Sequence, residues 1–425
     1  MLGRLLLGYG CRVAQDPRVA GRRLAIWSHG APHPTVGAST VLFWQYVSGL
    51  RAAGFEVLSL VLAQPDSSAA EGISAYEALA RKEGISVAVC RAESFLEERR
   101  HAVRLRADVL GPAREAVAAF RPDASFCLDF LAGWAARGTA EPRVVWLGDL
   151  RFQTTWYHAR YEAKERRSAA LQLPLAFVRS FAWRRAYREA LHGAAVVIVS
   201  SKSSEAALER IGVSSGYQPY PWPSSDGDPA SAKTPPELPT FLFLGALGAL
   251  GSRSALHFLL RRLYPRLVRR WGSGGFQVLI AGRGTLPGWA AEALEGKPEF
   301  VPLGFVDDLG SLLRRVHAAI APISVPVGNR SRILTVLAAG TVVVAHQNAA
   351  CGNPDLVDGQ TCYLAADADG FAERMARCVE APAEARAVAE RGRELYRTRF
   401  RPDVAVEAAV DTLATVLPAS PTDTG

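Results

Sequence analysis

The chain reads as an α/β protein with two doubly wound parallel-sheet domains, and three observations predict it. Through residues 241–346, short apolar runs ending in glycine or polar residues alternate with helical patterns. A looser alternation of the same kind fills the first half. At 425 residues the chain exceeds the roughly 250–300 at which one hydrophobic core stops growing, so a split is expected.

Taken in order, RLAIWS at 23–28 reads as the first strand, with a Pro/Gly-rich loop over 31–37 and a helix over 39–53 behind it. GFEVLSLV at 54–61 supplies the next strand, and 85–89, 124–128, 144–147 and 195–200 are further candidates. Residues 214–239 concentrate Pro, Ser, Gly and Asp without any period, which is the composition of a linker. Beyond it come FLFLG at 241–245, QVLIAG at 277–282, FVPLG at 300–304, AAIAP at 318–322 and TVVVAH at 341–346. Runs this short and continuously apolar suit strands buried on both faces of a parallel sheet. Between the first two, over 255–271, Leu256, Leu259, Leu260, Leu263, Leu267 and Trp271 recur at three- and four-residue steps, as in a crossover helix, which Pro265 should kink. The Ala/Val pattern of 404–416 permits a helix that crosses back onto the first domain. Residues 1–21 fit the first sheet poorly, and the tail from Pro418 is expected to be disordered.

With 49% hydrophobic and 21% charged residues the composition is that of an ordinary globular protein. No run approaches the roughly 18 apolar residues of a membrane span, and Leu5 to Leu7 is too short for a signal-peptide core, so the expected location is the cytoplasm. The six cysteines show neither CxxC pairs nor metal-ligand spacing and are expected to be reduced core residues. No cluster of His and Asp with metal-ligand spacing appears, so no metal is expected. Residues 151–191 carry nine Lys/Arg against three acids, a balance of +6 within a chain of net charge +8. Trp156, Tyr157, Phe177, Phe181 and Trp183 lie among them, a mixture that suits either an anionic membrane surface or an arginine-rich helix with aromatics in the core. No nucleic-acid-binding signature accompanies the charge.

Several pieces together resemble the GT-B glycosyltransferases of group 1 (family 4-like). They are FLG at 243–245, LIAG at 279–282, LGFVDDL at 303–309, API at 321–323 and, above all, GNRSRILTVLAAG at 328–340 followed by VVVA. The first half contributes a weaker match through its first strand, the Gly37 loop, GFEV at 54–57, Pro122-Asp123 and AVVIVS at 195–200. The resemblance implies two Rossmann-like domains facing a cleft. Residues 1–213 would form the acceptor side, 214–239 a linker, 240–400 the nucleotide-sugar domain, and 401–425 a closing helix and tail. It implies transfer of a sugar from a nucleotide-diphosphate donor to a glycan or lipid-linked acceptor, with retention of configuration. The nucleotide-sugar is then a substrate, and no cofactor is expected. An inverting transferase, a sugar-nucleotide epimerase and a non-catalytic partner in glycan assembly are the alternatives.

Candidate site residues follow from both sources. Gly328 and Asn329 open a turn into a helical pattern, where free amides attract phosphate oxygens, and Arg332 in the first turn could pair with a diphosphate bidentately. By position Arg332 matches a basic residue that the family uses for that purpose. Arg253, after the Gly245 loop, is a second candidate for phosphate. Gly282, Arg283, Phe305 and Val306 stand where the family contacts the nucleotide. Two signature glutamates are replaced by Val327 and Thr335; valine accepts no hydrogen bond and threonine keeps only a hydroxyl. On the acceptor side, Asp149 and His158 follow the strand at 144–147 and could serve as general base, Asp149 alternatively as a helix N-cap. His29, His33 and Gly37 surround the first loop, where related enzymes meet both substrates.

Overall fold

The computed structural model describes residues 11, 13–35, 37–65, 67–224, 236–327 and 331–418. The first sheet takes β1 (Arg23–His29), β2 (Glu56–Ala63), β3 (Ser86–Arg91), β6 (Ala124–Leu128), β7 (Arg143–Leu147), β8 (Val196–Val199) and β9 (Gly216–Tyr217). A separate antiparallel hairpin pairs β4 (Leu96–Arg99) with β5 (Ala102–Leu105). The second sheet takes β10 (Thr240–Leu244), β11 (Gln277–Ala281), β12 (Phe300–Gly304), β13 (Ala318–Ala321), β14 (Val343–His346) and β15 (Tyr363–Ala365). Their orders are β3-β2-β1-β6-β7-β8-β9 and β12-β11-β10-β13-β14-β15, every pair parallel. Each order reverses beside its first strand, and in open α/β sheets that reversal leaves a crevice at the carboxyl ends.

Alternation within the strands explains the double burial. On β1, Leu24 and Ile26 enter one core, while Ala25 and Trp27 enter a second core on the opposite face. Trp27 keeps its indole N–H satisfied at the Ser125 hydroxyl, 3.2 Å away. Arg143, buried at the start of β7, donates to the carbonyls of Gly133, Ala190 and His192, the last at 2.8 Å. One guanidinium thereby ties the ends of the helices Phe130–Ala135 and Leu173–Leu191 to the sheet. Burial holds it below the usual arginine range. All six cysteines are free and buried.

Three sequence expectations need correction. The linker expected over 214–239 opens with β9, a two-residue edge strand too short for any periodicity to reveal; Glu205 fixes it by accepting from the Tyr217 amide at 2.9 Å. Only its middle, 225–235, lies outside the described residues. The helix expected over 255–271 begins earlier and changes pitch: Leu250–Phe258 passes through a π-helical stretch, Leu259–Leu263, into Tyr264–Trp271. Pro265 has no N–H for the carbonyl four residues back, so the irregularity falls in the turn before it. Val19 and Cys11, in the segment that seemed foreign to the first sheet, are buried in its core.

Two passes of backbone join the domains. The outgoing pass places Trp222 against the returning one, with its N–H on the Phe400 carbonyl at 2.9 Å and its carbonyl accepting from the Tyr396 hydroxyl at 2.7 Å. The final helix, Pro402–Ala414, then packs on Ala38–Ala52 of the first domain, burying Val406, Ala409, Val410 and Leu413. No described helix is long and apolar enough to cross a membrane.

Candidate functional site

A cleft of about 850 Å³ separates the carboxyl ends of the two sheets. Its second-domain wall is built from strand ends. Gly245 directly follows β10 and Gly282 directly follows β11, and the two backbones nearly touch: a Cβ on Gly282 would lie 1.7 Å from the Gly245 carbonyl oxygen. A Cβ on Gly245 would lie 2.5 Å from both an Arg332 guanidinium nitrogen and the Ser252 hydroxyl. These positions therefore need glycine for close approach, and a flat backbone wall results.

Arg332 occupies the first turn of the helix Ser331–Ala338 and lines this wall, half-buried. Nη1 donates to the Leu244 carbonyl at 2.8 Å and Nη2 to the Ser252 hydroxyl at 3.2 Å. Those bonds hold the guanidinium at the end of β10 within the gap between the domains. Arg283 also faces the cleft, its guanidinium 4.5 Å from the centre of the exposed Phe305 ring, and Val306 lines the wall beside it. Gly328 and Asn329 lie outside the described residues.

The two positions where the resemblance expects carboxylates contribute differently. Val327, 5% exposed, forms an apolar part of the wall. The Thr335 hydroxyl donates to the Ser331 carbonyl at 3.1 Å and accepts from the Trp222 indole at 2.9 Å. The hydroxyl is thus engaged by the interdomain passage, and Trp222 joins the lining.

Arg253 is committed elsewhere and does not line the cleft. It forms a two-pronged ion pair with Glu165 on the helix Arg151–Glu165 of the other domain, with side chains only 17% and 12% exposed. Four residues before Glu165, the Tyr161 hydroxyl meets Ser324 at 2.5 Å, a second bond across the domains. Glu165→Gln leaves the guanidinium buried without its counter-charge and should cost about 1–3 kcal/mol. A double-mutant cycle with Arg253→Gln, read by chemical denaturation, checks this; coupling under about 0.5 kcal/mol would show the pair to be idle.

On the first-domain wall, Gly37 starts the helix Ala38–Ala52 at φ 80° and faces the cleft. Asp149 is exposed at the rim, in a turn held by Tyr187, whose hydroxyl accepts from the Arg151 amide at 3.1 Å and donates to the Asp149 carbonyl at 3.5 Å. Leu150, rather than Asp149, is the N-cap of the following helix. His158 lines the cleft one turn after Thr154; burial and the nearby Arg253 charge lower its pKa below the usual 6.5, so it is neutral at pH 7. His33 and His29 are set back from the lining. His33 accepts the Thr35 amide on Nδ1 at 3.1 Å, and burial lowers its pKa. His29 ends β1, its pKa also lowered by burial.

Asp129 is the residue that sequence reasoning missed. It follows β6, which lies directly beside β1 at the reversal of strand order, and its side chain caps the helix Phe130–Ala135 through the Phe130 amide. Its backbone sits at φ 97°, a conformation that costs a non-glycine residue of order 1–3 kcal/mol and persists where the surroundings dictate it. Burial raises its carboxyl pKa, while the Phe130 N–H, Arg151 and His29 oppose that shift. The carboxylate lines the same cleft as Arg332. The available signal was an acid closing the apolar run ASFCL at the end of a central strand.

Comparison with known proteins accords with this geometry. Residues 238–381 match the family model described as Glycosyl transferases group 1. No curated protein matches the chain. Among solved structures it is similar to HepE of Anabaena in complex with UDP-glucose, at 12% identity over 92% of this chain and 99% of that one, TM-score 0.62. It is similar also to sucrose-phosphate synthase from Thermosynechococcus elongatus, at 15% identity over 93% and 98%, TM-score 0.62. A variant of S. aureus TarM in complex with Fondaparinux, alpha-GlcNAc-glycerol and UDP matches at 9% identity over 92% and 99%, TM-score 0.65. At such identities the likeness is one of fold.

Proposed function

We propose, from a chain with the GT-B fold and a second domain of group 1 glycosyltransferase type, that the protein moves a sugar from a nucleotide-diphosphate donor to a hydroxyl of a glycan or lipid-linked acceptor. The observation that carries this reading is Arg332, held by Leu244 and Ser252 in the wall of a cleft whose other wall presents Asp129. The donor diphosphate rests on the glycine strand ends, where backbone can approach it closely, and Arg332 offsets the charge that grows on the leaving group. Arg283 and Phe305 form a stacked pair at the place suited to the nucleoside. Transfer with retention lets the leaving phosphate take the acceptor proton. Asp129 then steadies positive charge on the sugar ring, with His158 and Asp149 orienting the acceptor.

The loss of carboxylates at Val327 and Thr335 favours a second reading, a non-catalytic partner in glycan assembly that keeps the cleft as a binding surface. A thermal-shift panel of UDP-, GDP-, ADP- and dTDP-sugars separates the two, UDP-sugars being first because HepE is seen with one. Stabilisation by one nucleotide class is expected, since a bound ligand at 100 times its Kd adds about 2.7 kcal/mol. Arg332→Ala should weaken that binding about tenfold to 100-fold, the worth of a charge-assisted hydrogen bond. No shift with any donor would remove the transferase reading.

A further inference from the structure

We infer that the helical hairpin of residues 151–191 docks on an anionic lipid bilayer and brings a lipid-linked acceptor to the cleft. The second clause rests on the transferase reading above; the first does not. The hairpin consists of the helix Arg151–Glu165, a 3-10 turn Arg167–Gln172 and the helix Leu173–Leu191. Its turn and the first half of its second helix hold five of the nine large hydrophobic side chains that the described residues leave exposed. Leu171 is 85% exposed, Phe181 58% and Phe177 54%, with Val178 and Leu175 beside them. Phe177 and Phe181 touch, their ring centres 5.9 Å apart, and Trp156 of the first helix meets Phe177 edge-on at 6.2 Å, so the patch is continuous.

Charge selects the occupant. No acidic residue occurs between Arg166 and Arg188, and exposed arginines border the patch on both sides: Arg160 on the first helix and Arg166 at its end, then Arg185 and Arg188 on the second together with Arg179, which also pairs with Glu98 at 3.6 Å. Arg185 and Arg188 lie one and two turns beyond Phe181 on the same helical face, so aromatics at the tip continue into cations above them. That order matches the depth profile of a membrane interface, with apolar side chains at the acyl boundary and arginines at the phosphates. A protein partner would ask for polar and acidic complements that an array of arginines around bare phenylalanines does not specify.

The patch also leads inward. A cavity of about 380 Å³ beneath the hairpin is lined by Leu175 and Arg179 of the second helix and shares Arg151, Thr154 and His158 with the main cleft. Glu98 and Glu162 line it too, and Glu98 pairs with Arg179 at 3.6 Å and with Arg151 at 3.9 Å, so an anionic headgroup entering at Leu175 would compete with Glu98 for the two guanidiniums on the way to His158.

Co-sedimentation with phosphatidylcholine vesicles, with and without phosphatidylglycerol, tests the docking. The expected result is binding to the anionic vesicles alone, weakened by salt, and reduced on the order of tenfold or more in Phe177→Glu with Phe181→Glu. Both positions are exposed, and an unchanged melting temperature confirms that the variant is folded. Absence of binding by the wild-type chain, or equal binding by the variant, overturns the inference. So does a concentration-dependent dimer that the variant abolishes while neither protein binds vesicles, because a second copy would then cover the face. Vesicle binding without any nucleotide-sugar shift keeps the docking and discards the transferase; a shift without vesicle binding does the reverse.

Discussion

Asp129→Asn should lower kcat by about 10²–10³-fold, the usual effect of removing one preorganised charge or hydrogen-bond partner at a reacting centre. Asparagine suits the test because it caps a helix as well as aspartate does and tolerates positive φ, so the local backbone at φ 97° is kept. Stability should move the other way. Burial holds the native carboxyl pKa above its ordinary value near 3.8, so ionisation is a cost to the folded state. Below the ordinary value the group is protonated in both states and costs nothing. The cost grows as pH rises through the ordinary value towards the native one and is complete above it. Asparagine removes it, and the variant's melting temperature should equal or exceed the wild type's at neutral pH, with the difference opening as pH rises. Lost activity together with undiminished stability identifies a group kept for its charge. Unchanged kcat would reduce Asp129 to a cap.

Gly282→Ala should destabilise the second domain by about 3 kcal/mol or more. The added methyl would stand 1.7 Å from the Gly245 carbonyl oxygen, a contact that only a shift of backbone relieves, and Gly245 is itself pressed against Arg332 and Ser252. At roughly 2–4 °C per kcal/mol for a domain of this size, calorimetry should show a loss of roughly 6–12 °C. Gly248→Ala is the control: nothing lies within 4 Å of its Cβ position, and a change within about 0.5 kcal/mol is expected. Equal effects at both sites would mean that the strand ends have slack. Because both ends line the cleft, nucleotide-sugar binding should fall with Gly282→Ala as well.

The frame of the second domain was legible because β10, β13 and β14 are buried on both faces and so are almost wholly apolar; QVLIAG became β11 save its final glycine, and FVPLG became β12 residue for residue although that edge strand is exposed from Pro302 onward. β15 and β9 were not, since strands of two or three residues carry too few positions to show a pattern, nor was the β4–β5 hairpin, whose strands LEER and AVRL are half charged and mostly not buried. Glycines at strand ends and Arg332 could be singled out because local order places them at the mouth of the sheet. Residues whose role depends on distant partners could not. Arg253 looked free for phosphate until its carboxylate arrived from 88 positions upstream. Thr335 meets Trp222 across 113 positions, and Asp129 gains its meaning only from β6 lying beside β1. The exposed phenylalanines were visible as part of a basic, aromatic segment, but periodicity alone did not say which rings turn inward: Trp183 is buried, Phe177 and Phe181 are not.

The last helix, Pro402–Ala414, closes the core of the domain that the ribosome makes first. During synthesis the nascent first domain therefore waits with the face of Ala38–Ala52 uncovered while roughly 200 further residues emerge, about 10–40 s at 5–20 residues per second. Completion of one lobe is thus tied to translation of the other, and a chain released early would expose an apolar groove suited to chaperone capture.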